Sequence, residues 1–271
     1  MGDPVHPFVA LMRRYCIDYT NSHDQTVCDS IMDPGYVVHI GGFDLPLDRL
    51  YKPTVANLFE RAPGLGLVVH ELVLNGDRLC MSFSEHAAMP VEGGTADACW
   101  RGIGLYQWNG TRLTENWVEQ DHLAMQVQLA DGVPHELEPP HLDPWVGTQP
   151  VAADPSTEAV TRSWLEEGDL ADAGRVQIDD TPPGGPWPRA VEPISIRIDD
   201  LFSAGRRVPF HITVTGRYTG AIDCIPGEHA GATVTLPVAG IAEVRDGRVH
   251  AVRAVTSRSA VRHQLTGVLP I

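Results

Sequence analysis

The chain has 271 residues, of which 43% are hydrophobic and 20% charged, and its formal net charge is −15. The length suits two ordinary domains and the composition is that of a globular protein. The acidic excess argues against a nucleic-acid partner, because phosphate binding needs clustered Lys and Arg. No apolar run reaches the roughly 20 residues that cross a bilayer, which argues against a membrane partner.

The cysteines and the N-terminus favour a cytoplasmic location. The five cysteines form no C-x-x-C pair, and their odd number argues against a disulfide framework. The first residues lack the basic segment followed by an apolar segment that a secretory signal needs. The cysteines are Cys16, Cys28, Cys80, Cys99 and Cys224.

The first predicted element is an amphipathic helix that begins after Pro7. Its apolar residues recur at near-helical spacing, so one face is expected to be buried. Strands are predicted to end this half of the chain. The buried stripe consists of Phe8, Leu11, Met12, Cys16 and Tyr19.

A proline-rich segment over residues 131–155 has no sustained period, which is typical of a linker. It predicts a first domain over 1–130 and a second over 156–271. The second domain also opens with a helix signal, because Asp154 can cap a helix that has Pro155 at its first position.

The two halves match each other. RLTENWVEQDHLAMQVQL (112–129) aligns without a gap with RVHAVRAVTSRSAVRHQL (248–265), and each follows an Asn-Gly or Asp-Gly turn. GDRLCMSFSEH (76–86) pairs with GRRVPFHITVT (205–215) in the same order and at similar spacing. We therefore predict an internal duplication in which each half has helices followed by a curved antiparallel sheet.

The end of the first half carries the pattern N-G-x-R-[LV]-x-E-x-W-x-x-x-D-x-L followed by Q-L. Upstream, DPGYVVHIGG (33–42) matches a D-P-x-[YF]-V-x-H entry into a first strand and places His39 on its histidine. In this order the chain resembles the SnoaL-like polyketide cyclase and ester cyclase families of the nuclear transport factor 2-like superfamily. The resemblance covers most of 6–130, and over 156–271 it rests mainly on the repeat. The matching residues are Gly110, Arg112, Leu113, Glu115, Trp117, Asp121, Leu123, Gln128 and Leu129.

The resemblance implies an α+β fold of two tandem cones, each a curved antiparallel sheet wrapped around N-terminal helices. The open end of such a cone forms an apolar pocket, so the expected partner is a small hydrophobic ligand or substrate, and no cofactor is expected. Superfamily members often dimerise through the convex sheet face. A tandem chain can make that contact internally as a pseudo-dimer, and a further homo-oligomer stays open.

Glu85 interrupts an apolar strand face. Alternate residues share a face of a strand, and over 79–89 the face that contains Met81 and Phe83 is otherwise apolar. A carboxyl group among apolar side chains loses hydration and its pKa rises, which suits a general acid or base near neutral pH. The alternative is that Glu85 lies solvated at the mouth of the cone.

The same period places Glu115, Trp117, Glu119 and Asp121 on one face of the last strand. Trp117 is then a candidate pocket wall. Several acids so close cannot all be buried and ionised, so some are expected to reach solvent. Asp121 falls on the family's aspartate, but it can instead cap the following helix.

His39 has two interpretations. Near the opening of the cone it could exchange a proton with a carboxylate, since its ordinary pKa lies near 6.5. It could equally be a half-buried histidine bonded to the backbone. His135 and His141 lie in the proline-rich segment, so no metal site is predicted there.

The second half lacks the candidate acids. At the position aligned with Glu85 the second half has Val214. At the positions aligned with Glu115, Trp117, Glu119 and Asp121 it has neutral residues or arginine, namely Ala251, Arg253, Val255 and Ser257. The second domain is therefore predicted to keep the packing pattern without the chemistry.

These observations favour a cofactor-independent acid–base enzyme that cyclises or isomerises a small hydrophobic metabolite, with His39, Glu85 and Asp121 as catalytic candidates. One alternative is an epoxide hydrolase or epoxide-opening cyclase of the limonene epoxide hydrolase type, which needs two carboxyl groups. Another is a non-catalytic binding or assembly protein, which separated and solvated carboxylates would favour. The substrate-binding candidates are Met81, Phe83, Trp100, Trp117 and Glu119.

Overall fold

The computed structural model describes residues 4–167, 170, 173–181 and 189–268. The chain opens with helix α1 (Pro7–Arg13), which the His6 imidazole caps and which continues as π-helical turns over Arg14–Asn21. The predicted apolar stripe is buried along these turns, against the first sheet. No helix in the described part of the chain is both long and apolar enough to cross a membrane.

The first sheet has six strands in the order β2-β1-β6-β5-β4-β3. It is antiparallel except for the parallel pair of β1 and β6, so the predicted antiparallel sheet is in detail a mixed one. Helices α2 (Cys28–Ile31), α3 (Lys52–Arg61) and α4 (His122–Asp131) complete this half. The strands are β1 (Met32–Ile40), β2 (Phe43–Pro46), β3 (Gly66–Leu74), β4 (Arg78–Val91), β5 (Gly94–Trp108) and β6 (Leu113–Gln120).

The second half repeats this arrangement with five strands in the order β7-β11-β10-β9-β8. It opens with α5 (Pro155–Glu166), which Asp154 caps as predicted, and ends with α6 (Arg258–Thr266). Again one pair, β7 and β11, is parallel and the others are antiparallel. The strands are β7 (Arg175–Ile178), β8 (Val191–Leu201), β9 (Arg207–Tyr218), β10 (Thr233–Arg245) and β11 (Arg248–Thr256).

The strand pairing agrees with the alignment of the two halves. Phe83 of β4 lies opposite Gly102 of β5, and the aligned Ile212 of β9 lies opposite Val238 of β10. Each sheet is followed by a helix that ends at a glycine in the left-handed conformation. The chain is therefore an α+β duplication of one sheet-and-helix unit, as the resemblance implies.

The two sheets pack against each other through an apolar cluster. Strands β3, β4 and β5 contribute side chains from the first half, and β10 and β11 contribute side chains from the second. Because these sheet faces lie away from the helices, the contact is the predicted internal pseudo-dimer. The buried members of the cluster are Val73, Cys80, Ile103, Leu105, Phe202, Ala204, Ala239, Ile241 and Val255.

Polar contacts across this interface come in pairs. Arg78 binds Asp200, and Arg207, aligned with Arg78, binds Glu71 at 2.5 Å. Asp200 on β8 lies opposite His211, and Glu71 on β3 lies opposite Ser82. Because His211 and Ser82 are aligned with each other, Asp200 and Glu71 occupy equivalent positions in the two sheets. Such reciprocal contacts are the property of an interface with approximate two-fold symmetry.

The segment between α4 and α5 has no regular helix or strand, in agreement with its linker composition. It nevertheless packs along β3, where the backbone N–H groups of His141 and Val151 donate to the carbonyl oxygens of Val69 and Leu74. The domain limits at residues 130 and 156 stay a prediction.

Candidate functional site

Glu85 lies on the inward face of β4, together with the apolar residues of the predicted alternation. It is only 6% exposed, and Phe83 and Ala87 on either side of it along that face are also buried. On the neighbouring strand β5, Trp100 lies directly opposite Glu85. A long regular strand keeps its period of two, which is why this face could be assigned from the sequence.

The Glu85 carboxyl group borders a cavity of about 100 Å³ inside the first domain. Its walls are formed by strands β1, β4, β5 and β6, by the π-helical turns that precede β1 and by helix α3, which follows β2. Most of the side chains in these walls are apolar or tyrosine. Thr54 on α3 is exposed and Ile40, Leu45, Val55 and Leu58 are partly exposed, so these residues form the mouth of the cavity.

Burial changes the acidity of Glu85. Loss of hydration raises the pKa of this carboxyl group from 4.5 to about 7, and hydrogen bonds with Gln120 and Trp100 oppose the rise without cancelling it. The Trp100 indole N–H donates to Oε1 of Gln120 at 2.8 Å, which leaves the Gln120 amide nitrogen to donate to Glu85. A carboxyl group with this pKa is present in both protonation states near neutral pH and can act as general acid or base.

The cavity contains further polar side chains that sequence reasoning did not select. The hydroxyl groups of Tyr15 and Tyr51 lie 3.2 Å apart, and Asn116 and His122 also line the wall. Burial lowers the pKa of His122 to about 4, so this imidazole is neutral at pH 7. Tyrosines on helices that also carry core residues look like packing residues in a sequence, so no signal distinguished them.

The prediction for β6 was wrong about which face is inside. Val118 and Gln120 line the cavity, whereas Trp117 and Glu119 face the second domain. The cause is a register shift between β5 and β6, where Trp108 pairs with Leu113 but the preceding residue Gln107 pairs with Glu115. A bulge of this kind adds one residue to a strand and so inverts the faces beyond it.

Trp117 and His39 therefore do not shape the cavity. Their rings stack at 3.8 Å on the outer side of the sheet, where His39 binds Asp44 at 2.6 Å and Glu115 at 3.1 Å. The neighbours of His39 on β1, Val38 and Ile40, are the residues that line the cavity. The carboxylates beside His39 are thus those of Asp44 and Glu115 outside the cavity, so the expected proton exchange with a carboxylate would not reach a ligand in the cavity.

Glu119 is buried between the domains. The backbone N–H of Gly41 donates to its carboxylate, and His211 of the second domain lies 3.1 Å from Oε1. The other ring nitrogen of His211 lies 2.9 Å from Asp199. Although burial opposes it, these two carboxylates raise the pKa of His211. Glu119 thus belongs to a domain contact and not to a substrate pocket.

Asp121 adopts its alternative role. Its carboxylate accepts from the backbone N–H of Ala124 at 3.2 Å and caps α4, and it also accepts from the Arg258 guanidinium at 2.8 Å. Asp121 is buried but does not line the cavity, so Glu85 and Asp121 do not converge. An acid pair for epoxide opening is therefore absent from the cavity as the described residues build it.

The remaining substrate-binding candidates lie in different places relative to the cavity. Phe83 lines the cavity, whereas Trp100 is buried beside Glu85 and Gln120 and helps to limit the rise of the Glu85 pKa. Met81 is fully buried in the core and accepts a weak hydrogen bond from the thiol of Cys16 at 3.6 Å. In the described part of the chain, no cluster of three or more His, Cys, Asp or Glu side chains is arranged to hold a metal ion.

The second domain has a smaller counterpart of the cavity. The described residues that bound it include Val214, Leu236 and Val238, and its volume is about 20 Å³. Val214 aligns with Glu85 and is buried, so no carboxyl group occupies this position. A wider cleft of about 1250 Å³ lies between α5 and the β10–β11 turn, but its charged side chains, such as Glu167 and Arg245, are exposed.

No protein-family model matches this chain, and no curated protein matches it. Among solved structures, the chain is similar to a candidate polyketide cyclase from Acidithiobacillus ferrooxidans, at 21% identity over 46% of this chain and 94% of that chain, with a TM-score of 0.40. It is also similar to a candidate SnoaL-like polyketide cyclase from Jannaschia sp. CCS1, at 19% identity over 48% and 96% of the two chains, with a TM-score of 0.41.

A third similar structure is AclR, a candidate hydroxylase from Streptomyces galilaeus, at 13% identity over 45% of this chain and 94% of that chain, with a TM-score of 0.40. Each of these proteins is matched over nearly its whole length by about half of this chain. At such identities the likeness concerns the fold alone.

Proposed function

We propose that the protein is a cofactor-independent acid–base enzyme that acts on a small hydrophobic molecule in the cavity of its first domain. The observation that carries the proposal is Glu85, a single carboxyl group with a pKa of about 7 on the wall of a largely apolar cavity. Ionisable groups with such displaced pKa values are typical of catalytic sites.

The reaction class is proton removal from a carbon atom next to a carbonyl group. Cyclisation and isomerisation of polyketide-like compounds both begin with this step. Ionised Glu85 accepts the proton, the electron pair moves toward the carbonyl oxygen, and the protonated carboxyl group then returns the proton to another position of the substrate. The protonated carboxyl group can also exchange its proton with solvent through the mouth of the cavity, so reversible proton transfer in D₂O introduces deuterium into the substrate.

Two alternatives have less support. Epoxide opening needs a second carboxyl group to activate the attacking oxygen, and Asp121 is held outside the cavity by Arg258. A purely structural role for the first domain does not explain the burial of Glu85, because a buried carboxyl group loses its hydration at a cost in stability. The aligned residue of the second domain, Val214, fills the same position without that cost.

Deuterium exchange tests the proposal without knowledge of the natural substrate. A panel of small cyclic ketones is incubated in D₂O with wild-type protein, Glu85→Gln and the control Glu92→Gln, which changes an exposed residue at the β4–β5 turn. Incorporation of deuterium next to the carbonyl group is followed by proton NMR.

We expect wild type and Glu92→Gln to accelerate exchange of at least one ketone, with a rate that rises with pH around 7. Glu85→Gln should lose about 10²–10⁴-fold of this acceleration. Equal exchange by wild type and Glu85→Gln would refute the assignment of Glu85.

A further inference from the structure

The cavity has a second polar end, which lies over Gly104 of β5. A Cβ atom at Gly104 would stand 3.0 Å from the Tyr106 hydroxyl oxygen and 3.1 Å from Oδ1 of Asn116. Both side chains line the cavity and both belong to buried residues. The absence of a side chain at Gly104 is thus what allows a hydroxyl group and an amide oxygen to meet there.

These two groups offer complementary hydrogen bonds. Burial raises the pKa of Tyr106, so its hydroxyl group stays protonated and can donate. Oδ1 of Asn116 is buried and makes no hydrogen bond of normal geometry, and the buried Tyr36 hydroxyl group beside the Asn116 side chain is likewise unpaired. A buried acceptor without a partner is uncommon, because it has lost its hydration without replacement.

A ligand hydroxyl group fits this pair in both directions. Its oxygen can accept from Tyr106 while its hydrogen is donated to Asn116. A ketone or ether oxygen at the same place would satisfy Tyr106 and leave Oδ1 of Asn116 unpaired, and an apolar group would leave both unpaired. The polar end over Gly104 therefore discriminates in favour of a hydroxyl group.

The dimensions limit the rest of the ligand. Gly104 is four residues from Trp100, the partner of Glu85, so the two polar ends are roughly 13 Å apart along the strands before their side chains reach inward. Phe83, which lies against Gly102, occupies the wall between them. An apolar cavity of about 150 Å³ is known to hold one benzene ring, so a cavity of about 100 Å³ sets a single ring as the upper limit and excludes fused rings.

We propose that the ligand of this cavity is a single-ring compound whose hydroxyl group binds between Tyr106 and Asn116, with the ring against Phe83 and the reacting carbon toward Glu85. The inference rests on the proposed function in that it takes the same cavity to be the substrate site. Hydroxyl recognition and proton transfer depend on different side chains, so each can fail without the other.

Binding of phenol, anisole and toluene tests the hydroxyl preference. Each probe has one aromatic ring. The phenol hydroxyl group donates and accepts hydrogen bonds, the anisole ether oxygen only accepts them, and the toluene methyl group does neither. Dissociation constants are measured by ligand-observed NMR for wild type, Asn116→Leu and Tyr106→Phe, with Asn57→Leu on the exposed face of α3 as the matched control. 2-Naphthol tests the limit of one ring.

In wild type and Asn57→Leu, phenol should bind about tenfold more tightly than toluene or anisole, and 2-naphthol should bind at least tenfold more weakly than phenol. Asn116→Leu should abolish the preference for phenol over anisole. Tyr106→Phe, which keeps the ring, should reduce the preference for phenol over toluene even if Asn116→Leu does not fold.

Equal affinity for phenol and toluene in wild type, or an unchanged preference in both variants, would overturn the proposal. Glu85→Gln separates this inference from the proposed function, since it should keep the phenol preference while it loses deuterium exchange. A retained phenol preference with no exchange by wild type would refute the acid–base function and leave the binding proposal standing.

Discussion

At the scale of single residues, Glu85 makes the first domain less stable than it could be. Its folded-state pKa of about 7 lies above the ordinary value of 4.5, so the folded protein binds this proton more tightly than the unfolded chain does. The contribution of Glu85 protonation to the free energy of unfolding is fully present below about pH 4.5 and is lost as pH rises through about 7. The ionised carboxylate then costs about 3 kcal/mol.

Glu85→Gln is therefore expected to stabilise the protein at high pH. The free energy of unfolding should rise by up to about 3 kcal/mol at pH 8.5 and change little at pH 5, because only the ionised carboxylate carries the cost. Urea denaturation at both pH values measures this, with Glu92→Gln as the control. A gain that is equal at both pH values would contradict the assigned pKa.

The sequence could identify Glu85 and Phe83 but not the other polar side chains of the cavity. On β4 the alternation is unbroken, and a carboxyl group among apolar residues is visible at once. Tyr106 and Asn116 are separated along the chain by the β5–β6 turn and meet only because Gly104 leaves space between them. That proximity depends on strand register, which the residue pattern alone does not contain.

At the scale of elements, the β5–β6 hairpin shows how one irregularity reverses a functional assignment. The sequence predicted the strand and its turn, but the register shift beside Leu113 exchanges the two faces. Trp117 and Glu119 consequently pack against the second domain, and Asn116 and Gln120 enter the cavity. Asp121 lies just beyond the strand and caps α4, as the alternative interpretation had it.

Two glycine–phenylalanine contacts offer a matched experiment on the sheets. A Cβ at Gly102 would come within 2.3 Å of the Phe83 ring, and one at Gly240 within 2.4 Å of the Phe210 ring. We expect Gly102→Ala and Gly240→Ala each to lower the free energy of unfolding by about 1–3 kcal/mol, because the ring must move in a packed core.

Only the first of these variants should affect the ligand. Phe83 forms a wall of the cavity, so Gly102→Ala should weaken phenol binding, whereas Gly240→Ala should leave the dissociation constant unchanged. Urea denaturation and NMR titration measure the two effects. An equal loss of affinity in both variants would show that binding follows stability and not the geometry of the first cavity.

At the scale of the whole molecule, duplication allows the two domains to specialise. Their sheets pack through a shared apolar cluster with reciprocal ion pairs, so the second domain covers the outer face of the first. The duplication and the pseudo-dimer were predictable from the repeated segments and the resemblance. The domain contact of Glu119 with His211 was not, since these residues lie far apart in sequence and neither is unusual in its own strand.

The reciprocal ion pairs should differ in strength. Asp200 is more deeply buried than Glu71, so Arg78→Glu leaves a carboxylate of the interface buried and unpaired and is expected to cost about 3 kcal/mol. Arg207→Glu should cost about 1 kcal/mol, because Arg207 and its partner Glu71 are both partly exposed. The double variant Arg78→Glu/Asp200→Arg should recover part of the loss. Additive losses in a double-mutant cycle by urea denaturation would show that the two residues do not interact.

The most direct test of the account is the titration of the Glu85 carboxyl group itself. In protein labelled with ¹³C at the glutamate side-chain carboxyl groups, we expect one resonance with a midpoint near pH 7 that is missing from Glu85→Gln. Addition of phenol should shift this resonance. If no glutamate titrates above the ordinary value of 4.5, then Glu85 is solvated and does not serve as a general acid or base at neutral pH.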